Sequence, residues 1–292
     1  MKKMLALLAL GTFAGSAYAA ENCRVINMGF NPAQDSNAVL TNGRAIAKYI
    51  EKNVRGVEIN TTVAQDYGAL VEAMRSSKLD FAWLSPVSYV EARDKAGADV
   101  LLKSVRGAGP YYWSAFVVRK DSGIKKIEDL RGKNIAWIDP TSAAGYTFPR
   151  AALVAKGIDP DKFFGKQTFA GKHDSAVLSL VNGTVDVVAT FSNNTKGDSG
   201  SWTQLLKPEQ AALVTPVAYS KPIPGDTLSV RAAYQKECEA VTTRVRAAIA
   251  GMGSNPEGKA LLTNLYRIDK MIPAKDADYN IVRDAMKAAQ KK

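Results

Sequence analysis

Apolar residues along this chain switch between two spacings. Val39, Gly43, Ile46, Ile50 and Val54 recur at three- and four-residue steps, one face of a 3.6-residue helix, so the spacing predicts a helix over 36–54 after a strand from Arg24 to Met28. Val57 to Val63 alternates with period two and predicts a strand, while Tyr67, Leu70, Val71 and Met74 share one face of a helix over 66–77. Short apolar runs predict further strands at 80–84, 99–105, 113–119, 134–138, 166–170, 186–191 and 212–219. From Ala233 the pattern is almost wholly helical, broken near Gly253-Ser254-Asn255-Pro256 and at Ile272-Pro273. Alternating strands and helices that give way to helices describe an α/β chain with a helical C-terminal tail.

One internal echo refines this. Ala69 to Met74 leads through a turn to Leu79-Asp80-Phe81-Ala82-Trp83-Leu84-Ser85, and Ala176 to Gly183 leads to Val185-Asp186-Val187-Val188-Ala189-Thr190-Phe191-Ser192. Each is a helix, a tight turn, an aspartate and a short buried strand ending in serine, which predicts two α/β lobes of like design. Ligands of open α/β sheets gather at the carboxyl ends of strands, where Ser85 and Ser192 fall.

The first residues change the picture of where the chain works. Met1-Lys2-Lys3, the apolar run Met4 to Leu10 and Ala17-Tyr18-Ala19 have the charged, apolar, small-residue order of a secretory signal peptide, predicted over 1–19 with cleavage near Ala19/Ala20 and a periplasmic mature chain. The run is too short to span a bilayer. The formal charge is +11, and +9 without Lys2 and Lys3. A basic surface suits anionic ligands or simple solubility. No segment interleaves aromatics with clustered Lys and Arg, so no nucleic-acid partner is expected. Cys23 and Cys238 are the two cysteines, and an oxidising compartment allows a disulfide that would tie the first strand to a late helix.

Candidate chemistry centres on Asp139-Pro140-Thr141-Ser142-Ala143-Ala144-Gly145-Tyr146-Thr147-Phe148-Pro149, between the strand Asn134 to Ile138 and a helix-like segment from Phe148 to Gly157. A strand that turns into a helix leaves the first helical N–H groups unpaired, and these form an anion cradle. The cradle lacks hydroxyls at Ala143 and Ala144. His173 is the chain's sole histidine. Adjacent His173-Asp174-Ser175 point about 100° apart on a helix and cannot form a triad, one histidine cannot supply a His-rich zinc site, and no nucleophile elbow surrounds Ser85. Catalysis, a metal and a cofactor are therefore not expected. For His173 a helix cap or a buried hydrogen-bonding ring is the competing reading, packing is the default for Tyr67 and Tyr112, and Trp83, Trp113 and Trp137 read as core or hinge residues.

Tyr67 in "DYGALVEAM", the stretch 79–90, the stretch 109–146, "GKHDSAVLSLVNGTVD" at 171–186 and "KPIPGD" at 221–226 together resemble the phosphate/phosphite/phosphonate-binding periplasmic proteins of ABC importers. The resemblance implies a two-lobed type II periplasmic binding fold with a hinge of two crossing strands, delivering a small molecule to an inner-membrane ABC permease. Lobe 1 would comprise 20–112 and 219–292, and lobe 2 would comprise 113–218. The family's oxyanion pocket carries over onto Tyr67, Tyr112 (within Tyr111-Tyr112), Ser142 and His173, with Ser85 and Thr141 beside them. Ala143 and Ala144 stand where the family has hydroxyls, and Lys172 replaces a serine. Two lost hydrogen bonds to a charged group amount to about 3–6 kcal/mol unless Lys172 compensates. Asn193 begins a loop with amides where an amino-alkyl ligand would want an acid, leaving Asp226 as the candidate carboxylate. A larger, apolar or lipid-like cargo in the same fold, and a ligand-sensing input protein for a membrane receptor, stand as alternatives. The residues leave monomer or homodimer open.

Overall fold

A computed structural model describes residues 21–107 and 109–290, so the predicted signal peptide lies outside the described residues. In chain order the strands are β1 (Val25–Phe30), β2 (Glu58–Val63), β3 (Phe81–Leu84), β4 (Ala98–Val105), β5 (Tyr111–Arg119), β6 (Ile135–Trp137), β7 (Gln167–Phe169), β8 (Val187–Ser192), β9 (Val214–Tyr219), β10 (Ile223–Pro224), β11 (Thr227–Arg231) and β12 (Lys270–Pro273). The helices that matter for the site are α1 (Ser36–Asn53), α2 (Tyr67–Arg75), α3 (Pro86–Ala96), α4 (Phe148–Val154), α5 (Pro160–Phe163) and α6 (His173–Val181).

The strands form two mixed sheets, ordered β12-β4-β11-β3-β1-β2 and β10-β5-β8-β6-β7, with β9 also paired to β5. In each, strands joined through helices run parallel, β1 with β2 and β3, and β6 with β7 and β8. The echo in the sequence has a structural cause. Asp80, just before β3, accepts the Asn27 N–H of β1 at 2.9 Å, and Asp186, just before β8, accepts the Asn134 N–H at the entry to β6 at 2.8 Å. Each aspartate satisfies a strand-end donor that the parallel register leaves over.

α1 buries Val39, Gly43, Ile46, Ala47 and Ile50, the stripe set by its spacing, and begins where Asp35 accepts the Ala38 N–H at 2.8 Å. α3 has no such stripe. Pro86, Val87, Ser88, Tyr89, Val90 and Ala92 are all buried, so it is packed on several sides and its sequence carries no helical period.

The tail differs from the expected run of helices. Lys270–Pro273 is β12, antiparallel to β4 at the sheet edge, where a residue without an N–H is tolerated at a strand's end. β11, the strand between β3 and β4, and the two-residue β10 also lie outside the predicted set. Cys23 and Cys238 form a disulfide, joining the segment before β1 to the late helical region.

The chain passes from the first sheet to the second between β4 and β5 and returns through Gly225-Asp226. The two crossings lie side by side, the Gly225 N–H donating to the Pro110 carbonyl at 3.0 Å. The helix Asn280–Ala289 packs on both α3 and α4, so a third element bridges the halves. Val87, Tyr112, Ala144, Phe148, Tyr279 and Val282 belong to one apolar cluster spanning that bridge.

Candidate functional site

Between the two sheets lies a cavity of about 730 Å³, counting its open mouth. Its wall takes Ser85 from the end of β3, one of the two strand-end serines the echo singles out, and Asn193 just after β8; the other, Ser192, turns its hydroxyl onto the Asn194 and Ser199 carbonyls and is not part of the wall. Hydrogen bonds join the halves around it. Ser85 Oγ donates to the Thr141 carbonyl at 3.0 Å, and the His173 N–H donates to the Ala33 carbonyl at 3.0 Å.

The turn after β6 is built by its own side chains. Thr141 donates through both N–H and Oγ1 to Asp139 Oδ1, at 2.8 and 2.7 Å. Ser142 Oγ accepts the Gly145 N–H at 3.0 Å, and the chain then makes a π-helical turn, Ala143–Thr147, that runs straight into α4. Gly145 is required by close approach, since a Cβ there would sit 2.2 Å from Ile138 Cγ1. The Ala143 and Ala144 N–H groups, first in the turn, have no acceptor among the described residues. They stand at the positive end of a helical run that continues to Val154.

His173 opens α6, buried with 5 % of its surface exposed. Nδ1 lies 2.8 Å from Thr190 Oγ1, and Phe191 meets the ring edge-on at 5.0 Å. Burial pushes the imidazole down from its ordinary 6.5 to about 3, so the ring is neutral. Nε2 has no partner among the described residues, and in the tautomer where the Thr190 hydroxyl donates to Nδ1 it carries the proton and donates without carrying charge.

Tyr67 is buried beside Ser142 and Asn31; burial, then the nearby charges of Asp139 and Asp226, raise its hydroxyl far above the usual range, leaving it a protonated donor. Tyr112 is raised likewise, by burial first and Asp226 second. Its hydroxyl reaches Asp226 Oδ1 at 3.4 Å, and Arg106 Nη2 reaches Asp226 Oδ2 at 2.7 Å.

Of the ten residues expected at the site, Tyr67, Ser85, Tyr112, Ser142, Ala143, Ala144, His173, Asn193 and Asp226 line this one cavity. Thr141 does not; its side chain is turned onto Asp139 and only its carbonyl contributes, to Ser85. Lys172 is not part of the wall, so the compensating cation expected there is absent from it. Arg106, paired with Asp226, and the exposed Arg267 border the cavity. Arg106 follows β4 and Arg267 ends the helix Pro256–Tyr266, so no local motif in the sequence marks them. Trp83, read as core or hinge, lines the cavity too. Its Nε1, Asn31 Oδ1 and Asn193 Oδ1 are buried without partners among the described residues.

Comparisons with known proteins agree in kind. Residues 28–279 match the family model described as the periplasmic substrate-binding protein of phosphonate ABC transporters. The chain is 29% identical over 265 residues to the phosphonates-binding periplasmic protein of Escherichia coli, covering 89% of this chain and 75% of that protein. It is 29% identical over 270 residues to the phosphate-import protein PhnD of Mycolicibacterium smegmatis, covering 86% and 82%. The structure of PhnD1 from Prochlorococcus marinus with methylphosphonate shares the fold at a TM-score of 0.80 and 20% identity, over 93% of this chain and 100% of that one.

Proposed function

The chain belongs to the periplasmic substrate-binding family of phosphonate ABC transporters, and on that premise we propose that it captures a phosphonate-, phosphite- or phosphate-like oxyanion between its two sheets and presents it to an inner-membrane ABC permease. The observation that carries this reading is convergence. Two open amide N–H groups at a helix start, a neutral imidazole, a protonated tyrosine hydroxyl and the Ser142 hydroxyl all border one cavity. These are donors fixed before the ligand arrives, and donors near a helix N-terminus favour an anion. Ser142 Oγ already caps the turn and therefore positions the amides.

The two hydroxyls missing at Ala143 and Ala144 leave the amides with more of the work. The orphaned Trp83 Nε1 is a further neutral donor on the same cavity wall. The segments between β4 and β5 and between β10 and β11 act as the hinge, and the Ser85–Thr141 and His173–Ala33 bonds hold the closed form. In this role the protein performs no reaction and releases its ligand unchanged.

The apolar wall formed by Ala143, Ala144, Leu84 and Phe191 favours a second reading, a larger or apolar cargo in the same cleft. A thermal-shift panel separates the two. Methylphosphonate, phosphite or phosphate is expected to raise the melting temperature, since binding to the native state alone raises apparent stability, and His173→Ala is expected to abolish the rise. A response to hydrophobic metabolites with none to any oxyanion would transfer the cleft to the second reading.

A further inference from the structure

Asp226 is the carboxylate on the cavity wall that could hold a positively charged group, and its surroundings show that it is already satisfied. Arg106 Nη2 lies 2.7 Å from Oδ2, and the Tyr112 hydroxyl approaches Oδ1 at 3.4 Å. Arg106 is itself fixed: Nε donates to the Tyr266 carbonyl at 3.1 Å, Nη1 donates to Ser104 Oγ at 2.9 Å, and the guanidinium lies 5.8 Å from the centre of the Tyr112 ring. Its side chain is 13% exposed and that of Asp226 is 26% exposed, so the pair is shielded from solvent while bordering the cavity. A guanidinium held by three acceptors does not swing aside for a ligand. The buried groups left unpaired on the wall, Asn31 Oδ1, Asn193 Oδ1 and Trp83 Nε1, are neutral, and the exposed Arg267 is a cation, so none of them offers an ammonium a counter-charge.

We propose that Arg106 is a specificity-determining residue: by neutralising Asp226 it denies the site a counter-charge for an ammonium group, so the cavity selects oxyanions whose organic end is uncharged. The inference rests on the oxyanion reading above and deepens it. An ammonium entering the cavity loses its water and gains only neutral acceptors, whereas a hydroxyl or methyl end loses little. Two duties then fall to different residues of the one cavity, charge capture to the amides of Ala143 and Ala144 and rejection to Arg106–Asp226.

Calorimetric titration of the mature protein at pH 7.5 with methylphosphonate and with 2-aminoethylphosphonate tests this. The wild type is expected to prefer methylphosphonate by about tenfold or more, the size of one charge-assisted contact. Arg106→Met is expected to keep methylphosphonate binding and to gain 2-aminoethylphosphonate by a similar factor, and the added change Asp226→Asn is expected to remove that gain. Arg106→Gln, which keeps a donor for the Tyr266 carbonyl without the charge, carries the same expectation should the methionine variant fail to fold. Equal binding of both ligands by the wild type would overturn the proposal and leave the oxyanion reading intact. A folded Arg106 variant that loses methylphosphonate would also overturn it, making Arg106 an anion ligand. A wild type that binds no oxyanion would overturn both.

Discussion

Acidification from pH 7.5 to 5 acts on this protein through a single buried side chain before it reaches most carboxylates. His173 is held by Thr190 at 2.8 Å and covered by Phe191, and burial keeps its ring neutral down to about pH 3. In the unfolded chain the same ring takes a proton as pH falls through its ordinary value of 6.5. The unfolded state then binds more protons than the folded one, so stability is lost progressively from pH 6.5 toward pH 3. Integrated from pH 7.5 to 5, the loss is about 2 kcal/mol. Urea unfolding at pH 7.5, 6.5 and 5 measures it, and His173→Gln is expected to flatten the curve over that window. The imidazole proton resonances belong to one residue, so a titration by nuclear magnetic resonance reads the pKa directly. A ligand-free protein whose histidine titrates near 6.5 would refute the reasoning, because the ring would then be hydrated and not the buried neutral donor invoked here. A doubly charged oxyanion bound beside Nε2 is expected to raise the value.

Gly145→Ala should cost about 1–3 kcal/mol and weaken oxyanion binding, because the new Cβ meets Ile138 and shifts the amides of the turn; a melting curve and a titration check it. Reduction of the Cys23–Cys238 disulfide should cost about 2–5 kcal/mol, read as a lower melting temperature with dithiothreitol than without. Ser85→Ala removes a bond that exists only with the halves together, so it should weaken ligand binding by about 0.5–1.5 kcal/mol, and small-angle scattering should record a more open ligand-free protein.

Much of this architecture was legible in the sequence because local rules set it. The stripe on α1 and the alternation of β2 follow from burial on one face, and the two helix–turn–Asp–strand units follow from a repeated need to satisfy one strand-end N–H. What escaped was set by distant partners. β12 pairs across the sheet with β4, far away in sequence, and α3 is buried too completely to show a helical period. The site divides the same way. Ser142 and Gly145 carry a local turn signature, whereas Arg106, Arg267 and Asn31 reach the cavity by topology alone. Lys172 misled because adjacency in sequence to His173 does not bring a side chain to the same wall. Thr141 misled because Asp139, two residues earlier, claims its hydroxyl.

A crystal structure of the mature protein with methylphosphonate bears most directly on the central claim. The account predicts phosphonate oxygens within hydrogen-bonding distance, about 2.7–3.2 Å, of the Ala143 and Ala144 amide nitrogens and of His173 Nε2. A phosphonate held elsewhere on the protein, or a closed cavity whose amides remain unpaired beside bound ligand, would contradict it.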